Sequence, residues 1–154
     1  MHVSAKADYA VRALVELTAR TATQPGYVTV EMLAVEQDLP VKFLETIFTE
    51  LRKDGVVISR RGVDGGYRLA RPPAEISVAD IIRAVDGPLA AVRGLRPEDT
   101  EYDGAAQALP RVWVALRAAV RGVLEGVTLL DLVSGDLPDA IASLTESEAA
   151  WHRR

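Results

Sequence analysis

No cysteine occurs in these 154 residues. That absence excludes disulfides, thiolate redox switches, Cys-ligated zinc and Cys-ligated iron–sulfur clusters. Histidine is nearly absent as well: His2 and His152 stand near the two ends of the sequence, so no His-rich metal site is expected. Two Phe and two Trp leave Val, Leu, Ile and Ala to build the core of a chain that is 49% apolar. No apolar run approaches the ~20 residues of a membrane span, and no basic-then-apolar signal segment opens the chain. A cytoplasmic protein with no membrane partner is therefore expected. Catalytic sets are missing too. The carboxylates show no recognisable pairing, and Ser59 and Ser77 have no evident base. The expectation is a non-enzyme with no cofactor and no metal ligands.

Positive charge is scarce overall, and it is unevenly spread. The net charge is −4, yet residues 1–72 carry ten Lys/Arg against nine Asp/Glu, or +1. The remaining residues carry eight against thirteen, or −5. The first half is the better candidate for a phosphate-facing surface, although local placement outweighs net charge.

The pattern of elements is mostly helical. Ser4 caps a predicted helix to about Arg20, with Ala10, Leu14 and Leu17 on its buried face and Val11 and Val15 beside them. Gln24-Pro25-Gly26 breaks it. Thr29 caps a short second helix to Gln37. After a turn at Asp38-Leu39-Pro40, a third runs to Lys53, with Val41, Leu44, Ile47, Phe48 and Leu51 on one face and Gly55 as its left-handed cap. Two strands follow, Val56–Ile58 and Tyr67–Leu69, with Asp64-Gly65 read as the hairpin turn. Ser77 and Asp80 form a capping box for a fourth helix to Val85. Residues 88–108 show no period and read as a partly mobile loop.

A helix followed at once by a glycine-turned hairpin with paired arginines is the layout of a winged helix-turn-helix. Its third helix presents Lys42, Glu45, Thr46, Thr49 and Arg52 outward, where the side chains near a reading helix's start reach base edges. Glu45 is suited to accept from a cytosine amino group, and Lys42 to contact guanine or phosphate. An ordinary solvated face of mixed charge is the competing reading. In the hairpin, Ser59, Arg60, Arg61 and Gly62 put two guanidinium groups on a tight finger. Arg61 is the candidate for a narrow minor groove and Arg60 for a phosphate. Lys6, at the start of the first helix, is a further phosphate candidate or plain surface. The glycines near Gly62 lack the Lys-Ser/Thr pair and the strand-to-helix setting of a nucleotide loop.

Leu109, Trp113, Leu116, Val120, Val123, Val127 and Leu130 are spaced 4, 3, 4, 3, 4 and 3. This a/d repeat predicts one long helix with a dimer seam at Trp113, Leu116, Val120, Val123 and Val127. Core packing within one chain is the alternative. A short last helix, about Pro138 to Leu144, precedes a polar tail.

The stretch FLETIFTELRKDGVVISRRGVDGGYRLARP, then EISVADIIRAVDGP, with the opening SAKADYAVRALVELTA, resembles the Rrf-type (IscR-, NsrR- and CymR-like) bacterial transcription regulators over about residues 1–90. The resemblance implies a homodimer with crossed long helices whose winged helices read a palindromic operator. It places Lys42, Glu45 and Thr46 where members read bases, and Arg61 on the wing arginine of the minor groove. Cluster-binding members carry three cysteines where this chain has LAAVRGLRPEDTEYDGAAQALP, so an iron–sulfur role is not inherited. Asp8 falls at the position of an acidic ligand in some members, but it has no thiolate partners.

The expectation is therefore an α+β, mostly helical protein. Residues 1–87 form a winged helix-turn-helix domain, 88–108 an effector loop, and 109–154 a dimerisation helix with a C-terminal helix. Its partners are double-stranded DNA, a second copy, and a small-molecule effector acting through the loop. Repression of transcription is the expected role. The alternative is an interaction module docking on a partner protein such as a metabolic enzyme.

Overall fold

A hydroxyl in the right place starts most of the helices. In the computed structural model, which describes residues 2–152, Ser4 accepts the Ala7 N–H at 2.9 Å and opens α1 (Ala5–Thr23). Thr29 accepts the Met32 N–H and opens α2 (Val30–Gln37). The turn to α3 (Val41–Lys53) uses Asp38 in the left-handed region, φ 50°, which a short polar side chain tolerates. The α3 C-terminus is closed by paired main-chain bonds: Val56 N–H to Leu51 O at 2.9 Å and Gly55 N–H to Arg52 O at 3.2 Å. Gly55 sits at φ 72°, the conformation this cap requires.

These helices enclose one core. Ala7, Ala10, Leu14 and Leu17 of α1 meet Leu33 of α2 and Leu44, Ile47, Phe48 and Leu51 of α3, all essentially buried. A polar clamp sets α1 against α2. Arg12 donates to the Gln37 carbonyl, left open by the end of α2, and Arg20 pairs with Glu16 and Glu36 at 2.7 and 2.6 Å.

The hairpin pairs β1 (Val57–Arg60) antiparallel to β2 (Gly66–Leu69), with Ser59 opposite Tyr67 and Arg60 opposite Gly66. Its turn differs from the expected two-residue Asp64-Gly65 connection. Five residues separate the strands, and the Gly65 N–H closes on the Gly62 carbonyl at 2.9 Å, leaving Val63 and Asp64 at the tip. The positive φ values fall on Gly62 and Gly66 instead. Gly66 is fixed by a close approach: a Cβ there would stand 2.5 Å from the Val28 carbonyl oxygen. Val28 and Tyr67 exchange two main-chain bonds, at 2.9 and 2.8 Å, so the segment before α2 forms a bridge to the hairpin.

The capping box at Ser77 and Asp80 forms in both directions at 3.1 Å and starts α4 (Val78–Asp86). Residues 87–108 are irregular but folded. Leu89, Pro97 and Thr100 are buried, and Val92 and Leu95 exchange two main-chain bonds at 3.0 Å.

The expected long helix stops early. α5 (Leu109–Leu124) ends before Gly126, and a second capping box, Thr128 with Asp131, begins α6 (Leu129–Ser134). Val127 is therefore not on the helical stripe. It is buried in the main core, where its carbonyl accepts the Val78 N–H at 2.9 Å, and Leu129 donates to the Ile76 carbonyl at the same distance. The chain leaves the helical body after α4 and returns to it at residue 127. α7 (Asp139–Thr145) and a short turn complete the described chain. Among the described residues no helix is long and apolar enough to cross a membrane.

Candidate nucleic-acid interface

α3 buries every third and fourth residue, so its opposite face is presented to solvent by geometry alone. Lys42, Glu45 and Thr46 are exposed there; Thr49 is half-buried, its hydroxyl turned back onto the Glu45 carbonyl at 3.0 Å. The helix start has no side-chain cap and no acidic residue in its first turn, so its free N–H groups and Lys42 form a locally positive end.

The hairpin stands against this face. Ser59 on β1 accepts from Arg52 on α3 at 3.3 Å, tying the finger to the helix. Glu45, Arg52, Ser59, Arg60, Arg61 and Gly62 line one open cleft of about 400 Å³ between α2, α3 and the hairpin. Lys42 and Thr46 lie outside that cleft, on the outer surface of the same helix.

The two wing arginines have different surroundings. The Arg60 guanidinium lies 5.0 Å from the centre of the Tyr27 ring, with Arg68 5.2 Å from the same ring, and Asp64 approaches Arg60 at 4.0 Å. Among the described residues, Arg61 makes no ion pair or hydrogen bond. It is exposed, with its charge unspent at the base of the turn.

Lys6 does not line the α3–hairpin cleft. Its ammonium donates to the Val85 carbonyl at 2.6 Å and pairs with Glu50 at 2.7 Å, joining α1 to the end of α4 and to α3. Lys6→Ala is expected to cost about 1–2 kcal/mol of stability, because it strands the Glu50 carboxylate and an acceptor. The salt dependence of DNA binding should stay unchanged. Urea unfolding and a salt titration check this, and a shallower salt slope would return Lys6 to the interface.

Arg68 and Tyr27 carried no expected role in the sequence, and Arg52 was expected only to face outward on the third helix. Arg52 had a readable signal, since 45, 49 and 52 share one helical face. Arg68 alternates outward on β2 opposite Ile58. Tyr27 had none, because its place under two arginines depends on the Val28–Tyr67 bridge.

The Rrf2 family profile, described as iron-dependent transcriptional regulator, matches residues 3–135. A helix-turn-helix-type transcriptional regulator of Mycobacterium tuberculosis is 49% identical over 150 residues, covering 97% of this chain and 92% of that protein. The chain is also similar to the structure of CymR, the global cysteine regulator of B. subtilis, with a TM-score of 0.72 and 32% identity over 88% of this chain and 98% of that one. T. potens IscR gives a TM-score of 0.69 and 30% identity, covering 99% and 97%.

The donors present decide whether this chain can hold iron as the family's description implies. A thiolate-ligated cluster does not fit, because the chain has no cysteine. Among the described residues no three His, Asp or Glu side chains converge. Asp8 is turned to Arg12 at 3.6 Å, and Glu98 in the loop is paired with Arg117.

Proposed function

Because the chain belongs to the Rrf2 family of transcriptional regulators, whose relatives are regulators and not enzymes, we propose that it binds a palindromic operator as a homodimer and represses transcription. Residues 1–87 supply the reading surface, 88–108 the effector segment, and α5 the dimer contact. The observation that supports this best is the shared cleft of α3 and the hairpin, lined by an exposed Arg61 that has no ion pair among the described residues.

A major groove about 12 Å wide admits α3, with Lys42, Glu45 and Thr46 directed at base edges and Thr49 beside them. Arg61 enters the adjoining minor groove, whose narrow walls concentrate negative potential. Arg60, stacked on Tyr27, takes a phosphate, and Ser59 and Gly62 hold the finger's base close to the backbone. A twofold dimer sets the two α3 helices about one helical turn of DNA apart, roughly 34 Å.

Selection of bound sequences from random duplex DNA should return inverted repeats. On such an operator, Arg61→Ala should lose about 1–3 kcal/mol of binding and relax preference at the minor-groove position. Affinity should fall steeply with added salt, as counterion release demands. A salt-insensitive contact, or no enriched sequence, would instead favour docking on a partner protein.

A further inference from the structure

Four arginines from three separate elements converge on one cleft of about 550 Å³. They are Arg83 on α4, Arg96 in the following loop, and Arg117 and Arg121 on α5. Residues 73–154 hold only eight cationic side chains and carry a charge of −5, so half of their cations meet at this one place. Arg117 and Arg121 are four residues apart and therefore share a helical face.

The local carboxylates do not balance this set. Glu98 pairs with Arg117, and Glu125 bridges Arg83 and Arg121, reaching the latter at 3.0 Å. Asp80, 3.8 Å from Arg83, is offset by Arg71 at 3.9 Å. Arg96 is exposed, and its guanidinium makes no ion pair or hydrogen bond among the described residues; only its main-chain carbonyl is engaged, by the Asp99 N–H at 3.0 Å. Four guanidinium groups against two carboxylates leave two positive charges over an apolar lining that includes Leu89 and Pro97. Both carboxyls are held below the usual range, Glu98 by a main-chain hydrogen bond and then Arg117, Glu125 by Arg83 and then Arg121.

The backbone here is also set in an unusual conformation. Ala90, on the lining, is held at φ 56°, which a residue with a Cβ adopts only where its surroundings impose it. The cleft volume lies within the roughly 300–1,000 Å³ of small-molecule sites.

We propose that this cleft binds a small organic polyanion bearing two or more carboxylate or phosphate groups. Guanidinium forks match both oxyanions in bidentate geometry. Arg83 belongs to the DNA-reading body, since α4 is bonded to α1 through Val85 and Asp86. Arg117 and Arg121 belong to α5. An anion held between them displaces Glu98 and Glu125 from their arginines and resets the angle between the reading body and α5. This regulatory consequence rests on the DNA-binding reading above; the binding itself does not.

Calorimetry on the purified protein without DNA, at fixed ionic strength, tests the site with citrate and with inorganic pyrophosphate as probes. At least one should bind, the stronger of the two identifying the preferred oxyanion. Arg96→Ala should weaken that binding about tenfold or more while leaving the melting curve of the unliganded protein unchanged. Arg61→Ala should leave it intact. Absence of binding by both probes at millimolar concentration overturns the proposal. So does loss of binding in Arg61→Ala but not in Arg96→Ala, which would place the anion on the hairpin surface. A separate titration of selected operator DNA shows whether the DNA reading stands in either case.

Discussion

Leu116→Lys is expected to leave the protein monomeric and to lower its affinity for a two-half-site operator by about 10²- to 10⁴-fold. The reason is the state of α5 in a single chain. No residue of this 16-residue helix is fully buried; Val112 is 54% exposed and Leu116 39%. An unsupported helix of this length is marginal in water, so it needs packing on an apolar face. One face is covered by the chain itself: Trp113 donates to the Tyr102 hydroxyl at 3.2 Å and Arg117 pairs with Glu98. Among the residues left open, Val112, Leu116, Ala119 and Gly122 form one stripe, spaced four and three apart along about 15 Å of helix. In the proposed dimer a second copy covers that face, and a lysine at 116 would bury an unpaired ammonium in it. Without the seam each half-site is bound alone, and the gain from linking two binding events disappears. Sedimentation equilibrium and operator titration measure the two effects. A variant that stays dimeric, with affinity within about threefold of the parent, would remove α5 from the dimer contact.

Phe48→Ala should destabilise the fold by about 3–5 kcal/mol, a large share of the ~5–15 kcal/mol that holds a domain folded. Phe48 is completely buried on α3, and its ring meets Tyr67 of β2 at 4.8 Å between centres and 60° between planes. Tyr67 in turn is bonded through its main chain to Val28. The ring therefore packs α3 against the hairpin, beside the Arg52–Ser59 bond. Truncation leaves a cavity at that joint. Urea unfolding should show a lower midpoint with an unchanged slope, and operator binding should weaken even where the variant remains folded. A loss below about 1 kcal/mol would mean the joint is held by the main-chain bridge alone.

The caps at Ser4, Thr29 and Ser77 were legible because each is a hydroxyl bonding an amide three residues on. The apolar faces of α1 and α3 were legible because their period is that of the helix. The second capping box, Thr128 to Asp131, was equally local, but the a/d stripe running through it hid it. Nothing in that stripe distinguishes a valine on a helix from one in the core, and Val127 proved to be the latter. The hairpin was readable as a hairpin, but its turn was not: Asp64-Gly65 suits a two-residue connection, whereas the observed register leaves five residues between the strands and puts the positive φ values on Gly62 and Gly66.

Sequence alone determined the winged helix-turn-helix, the exclusion of thiolate chemistry, and the outward placement of Lys42, Glu45 and Arg61. All three follow from residue type and spacing within a few turns of chain. Tertiary structure decided that Lys6 ties α1 to α3 and α4, that Arg60 stacks on Tyr27 while Arg61 has no partner among the described residues, and that four arginines share one cleft. These depend on partners as many as 79 residues away. Packing brings such groups together, and no local period records it.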